Sequence, residues 1–158
     1  MESQSAQRNE SVSEGRSPLE GGAVRLRDVS LKRVYEEPDP SDGLRVLVDK
    51  LWPRGVSKAK AAVDEWAKDL TPSTDLRKWF HEDTAGRWDE FRSAYRRELE
   101  EGDAVSAFLS HAPEHVTLVY AGKDAVHNHA KVLRDVLLDV AKWQRGEDPS
   151  ADGARASS

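Results

Sequence analysis

The chain predicts a small single α/β domain, with a short, mainly parallel, Rossmann-like sheet covered by helices, between disordered N- and C-terminal tails. Three observations carry this reading. Residues 44–49, L-R-V-L-V-D, form an apolar run of strand length bounded by turn signals, the pattern of a strand buried on both faces. His115–Tyr120, H-V-T-L-V-Y, is a second, β-branched and aromatic run. The segment between them has helical periodicity, and a helical crossover implies that the two strands run parallel as neighbours. A length of 158 residues fits one domain with a real core.

The elements follow in order. Residues 1–22 carry a net −2 and hold only Val12 and Leu19 as sizeable aliphatics; residues 146–158 also carry −2. Neither end has the apolar surface to offset ordering entropy, so both read as tails. Residues 28–35 alternate loosely around Val29, Leu31 and Val34 and read as a first strand, followed by a turn-rich connector, E-E-P-D-P-S-D-G, over 36–43. Pro53 and Gly55 break the chain after the buried strand. Ser57 caps a helix from Lys58, and its continuation through Val63, Trp66 and Leu70 stays open until Pro72 ends it. Ser73 caps a helix over 74–81 with Leu76, Trp79 and Phe80 on one face. Trp88, Phe91, Tyr95 and Leu99 mark the next helix, ended by Gly102, and Val105, Phe108 and Leu109 a short third. After the strand at 115–120, a long helix buries Ala130, Leu133, Val136, Leu137, Val140 and Ala141 and ends near Trp143.

Composition excludes several classes. The chain has no cysteine, hence no disulfide, thiolate metal site or thiol nucleophile. It has no signal-peptide core and no membrane-length apolar run, so a cytoplasmic protein without membrane contact is expected. The overall charge of −5 leaves −1 on residues 23–145, too neutral for a general nucleic-acid binder. No Walker loop, dinucleotide fingerprint or nucleophile elbow occurs, and no cofactor is implied.

Parallel strands send their carboxyl ends the same way, and open α/β sheets bind ligands there. The loop after the first buried strand brings Asp49, Lys50, Trp52 and Arg54; the loop after the second brings Gly122, Lys123, Asp124, His127, Asn128 and His129 into the start of the last helix. Unpaired N–H groups at that helix start favour an anion, and Arg54 and Lys123 add cationic arms. Asp49 and Asp124 are candidate general acid or base, with His127 as proton shuttle. Arg45, Trp52, Arg54, Lys123, Asn128 and His129 are the ligand-binding candidates, Arg45 either facing a sheet surface or reaching back to a neighbouring carboxylate. The same charges also fit a structural role, pairing to tie loops together, with Asn128 a helix cap. His127 and His129, two positions apart, do not share a helix face, so no metal ligands are assigned. The charges on residues 76–99, Arg77 and Lys78 among them, read as a solvated helical face.

Several motifs together resemble the YeaO-like branch of the DUF488 family. They are R-V-Y (33–35), D-G-L-R-V-L-V-D-K-L-W-P-R-G (42–55), W-A-K-D-L-T-P-S (66–73), L-R-K-W-F (76–80) and V-T-L-V-Y-A-G-K-D-A-V-H-N-H-A (116–130). The likeness runs from about Val29 to Leu138. Lys50 stands where the family's usual form has arginine, and Thr71 where it has alanine. The resemblance implies a small α/β bacterial protein and places both loops in the family's most characteristic segments, without supplying an activity.

The leading functional expectation is an enzyme or ligand-binding protein acting on a small anionic, phosphate- or nucleotide-bearing molecule. The alternatives are a nucleic-acid-associated module that stacks bases on Trp52, and a non-catalytic interaction domain in which Trp52 and Pro53 pack a loop that Asp49 and Arg54 brace. Oligomeric state stays open.

Overall fold

The apolar runs assemble into one four-stranded, all-parallel sheet in a computed structural model that describes residues 24–147. The strands are β1 (Asp28–Arg33), β2 (Leu44–Leu47), β3 (Glu65–Trp66) and β4 (His115–Tyr120), in spatial order β1-β4-β2-β3. β4 pairs with β2 from Leu44 opposite Val116 to Leu47 opposite Val119, the neighbourhood that the helical crossover predicts. The helices are α1 (Lys58–Ala61), α2 (Thr74–His81), α3 (Trp88–Glu101), α4 (Ala104–Leu109) and α5 (His129–Gln144). The tails expected over 1–22 and 146–158 lie outside the described residues, apart from Gly146 and Glu147.

Strand alternation divides the sheet into two unequal faces. Val46, Val48, Val116, Leu118 and Tyr120 point to the face that α2 to α5 cover, where they join Phe80, Phe91, Tyr95, Leu133 and Leu137 in the main core. Leu47 and Val119 point the other way and meet Val34, Ala61, Trp52 and Trp66 in a smaller cluster under α1 and the loops. Helix periodicity explains the main core: Phe91, Tyr95 and Leu99 recur every four residues along α3, and Leu133, Val136 and Leu137 fall at i, i+3 and i+4 along α5.

The smaller face is crossed by residues 34–43, which join two parallel strands with no more than a single 3-10 turn at Pro40–Asp42. Asp42 anchors this connection. Its carboxylate accepts from Arg45 Nη1 at 2.6 Å and Lys32 Nζ at 2.9 Å, while its carbonyl accepts from Thr117 Oγ1 at 2.7 Å. β1, β2 and β4 are thereby pinned to one crossing loop. Next to it, Gly43 has φ +66°, and a Cβ there would collide with the His115 carbonyl oxygen, so the turn requires glycine.

The continuation left open after Lys58 resolves as a strand. Ala62 adopts a left-handed conformation (φ 50°) and its N–H closes on the Lys58 carbonyl, ending α1 after one turn. The Asp64 carboxylate then accepts from Arg45 N at 2.9 Å, and Asp64 N donates to the Arg45 carbonyl at 2.8 Å. Those bonds lead the chain into β3 beside β2. Two residues are too short for any period to announce, which is why the sequence pattern did not separate them from a helix.

Candidate functional site

At the carboxyl ends of β2 and β4 lies a cavity of about 360 Å³. Asp49, Lys50 and Leu51 border it from the loop after β2; Tyr120 borders it at the end of β4, with Gly122, Lys123, Asp124, His127 and Asn128 from the loop that follows. His129 begins α5, Thr71 and Pro72 precede α2, and Arg77, Phe80 and His81 come from α2 itself. Thr84 and Phe91 complete the lining. The two loops that strand position singles out therefore meet, with a helical wall opposite them.

Asp49, Asp124, His127, Asn128 and His129 each have protein partners that fix them. Asp49 Oδ2 accepts from Ala121 N at 2.9 Å, tying the end of β2 to the end of β4, and its carbonyl accepts from Trp66 Nε1 at 2.8 Å. His129 Nε2 lies 2.6 Å from the Val48 carbonyl and 3.6 Å from Asp49 Oδ1. A carbonyl only accepts, so Nε2 carries the proton and Nδ1 is the acceptor of the neutral ring. Asp124 closes a turn, its Oδ1 accepting from Val126 N at 2.9 Å and His127 N at 2.8 Å, while Oδ2 meets His127 Nδ1 at 3.0 Å. Asn128 caps α5 through Lys131 N and donates from Nδ2 to the Asp124 carbonyl at 2.9 Å. Lys123 is exposed at the rim.

Arg45, Trp52 and Arg54 lie elsewhere. Side chains alternate along β2, so Arg45 faces the smaller side of the sheet, where it reaches back to Asp42 and donates to the Ala61 and Ala62 carbonyls. Trp52 donates to the Val56 carbonyl at 2.7 Å and packs edge-on against Trp66 at 5.4 Å, which closes the loop on itself. Arg54 is exposed and outside the cavity lining.

The α2 wall, in contrast, is not the solvated face its charges predict. Arg77 and His81 sit at i and i+4, one turn apart beside Phe80, and both border the cavity. Arg77 Nε is buried with no hydrogen-bond partner, alone in this among the buried side-chain nitrogens and oxygens of the described residues. The i, i+4 spacing next to an apolar stripe was the available signal, and alternating charge along the same segment masked it.

Burial sets the protonation of the inner pair. It pushes the Asp49 carboxyl above its ordinary range, against the pull of His129, Ala121 N–H and His81. It likewise holds the His129 imidazole below its ordinary value, outweighing the Val48 carbonyl and Asp49, with His81 and Arg77 adding to the depression. Asp124 moves the other way: the His127 and Val126 N–H groups and the His127 ring hold its carboxyl below the usual range. Among the described residues, no three His, Asp or Glu side chains converge as metal ligands would, and no helix is long and apolar enough to cross a membrane.

The depressed His129 has a signed consequence. The unfolded imidazole takes a proton near pH 6.5, before the folded one does, so stability is lost as pH falls from there through the folded value. Asp49, raised, loses stability in the opposite sense, as pH rises from about 3.9 through its folded value. His129→Gln should therefore flatten the decline in melting temperature between about pH 6.5 and 5.5. A variant melting curve that falls as steeply as the parent's would refute this assignment.

Comparison with known proteins agrees with the motif likeness. A family model described as the inactive DUF488-N3 subclade matches residues 28–158. The chain is 44% identical over 117 residues to the uncharacterised protein YeaO of Escherichia coli K12, an alignment covering 72% of this chain and 99% of that protein. It is 42% identical over 115 residues to uncharacterised proteins of Mycobacterium bovis and Mycobacterium tuberculosis, covering 72% of this chain and 97% of each. No solved structure matches the chain.

Proposed function

Because the chain belongs to the DUF488 family, in the subclade described as inactive, we propose that it binds a small anionic molecule in the cavity at its strand ends without turning it over. The observation that carries this is Arg77. A buried guanidinium nitrogen with no protein partner forfeits hydration without replacement, a loss of about 1–3 kcal/mol or more. Arg77 as a whole is only partly buried and borders the cavity, so its guanidinium, held by no protein acceptor among the described residues, is available to an anion there. Lys50 and Lys123 border the same space, so the cations outnumber the carboxylates Asp49 and Asp124 there.

The absence of turnover is supported by what the candidate acids and bases already do. A general base needs a free lone pair within reach and a pKa near the working pH. Both Asp124 oxygens hold the turn, and its hydrogen bonds move its pKa away from neutrality. Asp49 Oδ2 joins two strand ends while Oδ1 lies 3.6 Å from His129 Nε2, and the His129 proton is given to a backbone carbonyl. These side chains brace the cavity floor and leave recognition to the α2 wall and the lysines.

Arg77→Met tests the reading. Binding of a panel of phosphates, nucleotides and carboxylates, followed by calorimetry, should weaken roughly ten- to a hundredfold for any member that binds the parent, the loss of one charge-assisted hydrogen bond. Stability should hold or rise, because an unpaired buried group is removed. A parent that binds none of the panel, or a variant that binds as the parent does, would end it.

A further inference from the structure

The cavity is selective beyond its charge, and we propose that its ligand is a compact monoanionic acid with a flat apolar body, an aromatic carboxylate, in preference to a nucleotide or inorganic phosphate. This inference rests on the anion-binding reading above and names the class of anion.

Three observations converge. The first is the wall. Phe80 and Phe91 stack with ring centroids 3.9 Å apart and planes 14° apart, and both border the cavity together with Tyr120. These rings are 3%, 1% and 7% exposed, so they offer the cavity a narrow apolar strip, which a ring matches better than a hydrated inorganic anion does. The second is size. About 360 Å³ is the space of roughly a dozen liquid waters at about 30 Å³ each, enough for one substituted ring and its acid group.

The third is charge. Lys50, Arg77 and Lys123 line the cavity with Asp49 and Asp124, three basic side chains against two carboxylates. One negative charge balances that lining. A phosphate dianion or polyphosphate overshoots it and sets added negative charge beside Asp49, whose own ionisation burial already opposes. Arg77 supplies a planar fork that matches a carboxylate through two parallel hydrogen bonds, geometry a lysine lacks.

Titration calorimetry of the full chain with benzoate, benzamide, acetate, inorganic phosphate and adenosine monophosphate separates the possibilities. Benzoate should bind saturably, with benzamide and acetate each at least tenfold weaker, because one lacks the charge and the other the ring. Arg77→Lys, which keeps the charge and loses the fork, should weaken benzoate at least tenfold. Circular dichroism and melting of that variant would verify that it is folded. Tighter binding of phosphate or the nucleotide than of benzoate would overturn the aromatic acid while leaving the anion site standing. Equal binding of benzamide and benzoate, or no binding by any anion, would overturn both.

Discussion

Arg45→Ala is expected to lower the melting temperature by about 10–15 °C, the largest effect of any charged residue in the fold. The reason is that Arg45 is only 4% exposed and Asp42 only 6%, so their ion pair is closed from water. Truncating one member of such a pair typically costs about 3–5 kcal/mol, because it strands the other. Here the loss extends further, since the Ala61 and Ala62 carbonyls lose the donors that Arg45 Nη2 and Nε provide at 2.7 and 3.0 Å. At this chain length each kcal/mol moves the midpoint by roughly 2–4 °C. Lys32→Ala should cost much less, its side chain being partly exposed and able to exchange Asp42 for water. Asp42→Asn adds a pH signature. Burial alone would raise the Asp42 carboxyl, but bonds from Lys32, Asp39 N–H and Arg45 outweigh it and hold it below the usual range. Stability from Asp42 is thus full above about pH 4 and lost as pH falls through the folded value. Acid unfolding of Asp42→Asn should be shallower than the parent's, and an equally steep acid limb, or an Arg45→Ala midpoint within about 3 °C of the parent's, would refute the network.

The same residues mark where sequence reading stops. The periodicity of Phe91, Tyr95 and Leu99, the caps at Ser57, Ser73 and Asn128, and the pairing of β2 with β4 were legible because each rests on local pattern or on a chirality rule. The turn signals at residues 36–43 announced a connector, but not that it crosses the sheet and buries Asp42. A buried ion pair is written with the same letters as a solvated one, so Arg45 looked equally suited to a ligand and to a brace. Arg77 was hidden the opposite way, by charged neighbours that gave its helix a solvated look. Topology alone set the loops after β2 and β4 beside each other, but Trp52 and Arg54, expected in the same pocket, lie outside its lining. The opposing wall came from α2, whose approach to the strand ends depends on tertiary packing that no local pattern records.

Phe91→Ala carries the second large effect and joins stability to recognition. Phe91 is 1% exposed and packs on Phe80, Trp88 and Tyr95 with centroids 3.9, 6.0 and 5.6 Å away. Removing such a ring costs about 3–5 kcal/mol, a large part of the roughly 5–15 kcal/mol that holds a domain together. The void formed here is contiguous with the ligand cavity, because Phe91 is part of its lining. A larger ring acid should therefore enter the space the side chain leaves. Naphthoate should bind Phe91→Ala more tightly than it binds the parent, and at a hundredfold excess over its Kd should restore about 2.7 kcal/mol of the lost stability. Leu99→Ala is the control: Leu99 is also buried on α3 but lies outside the cavity lining. Its truncation, typically about 2–5 kcal/mol, should leave the parent's preference for benzoate over naphthoate intact. Thermal melts with and without each acid measure both terms. If Phe91→Ala keeps the parent's ligand preference while losing its stability, the ring belongs to the core alone. If the preference shifts only in that variant, the stacked pair Phe80–Phe91 sets both the packing of the core and the size of the acid the cavity accepts.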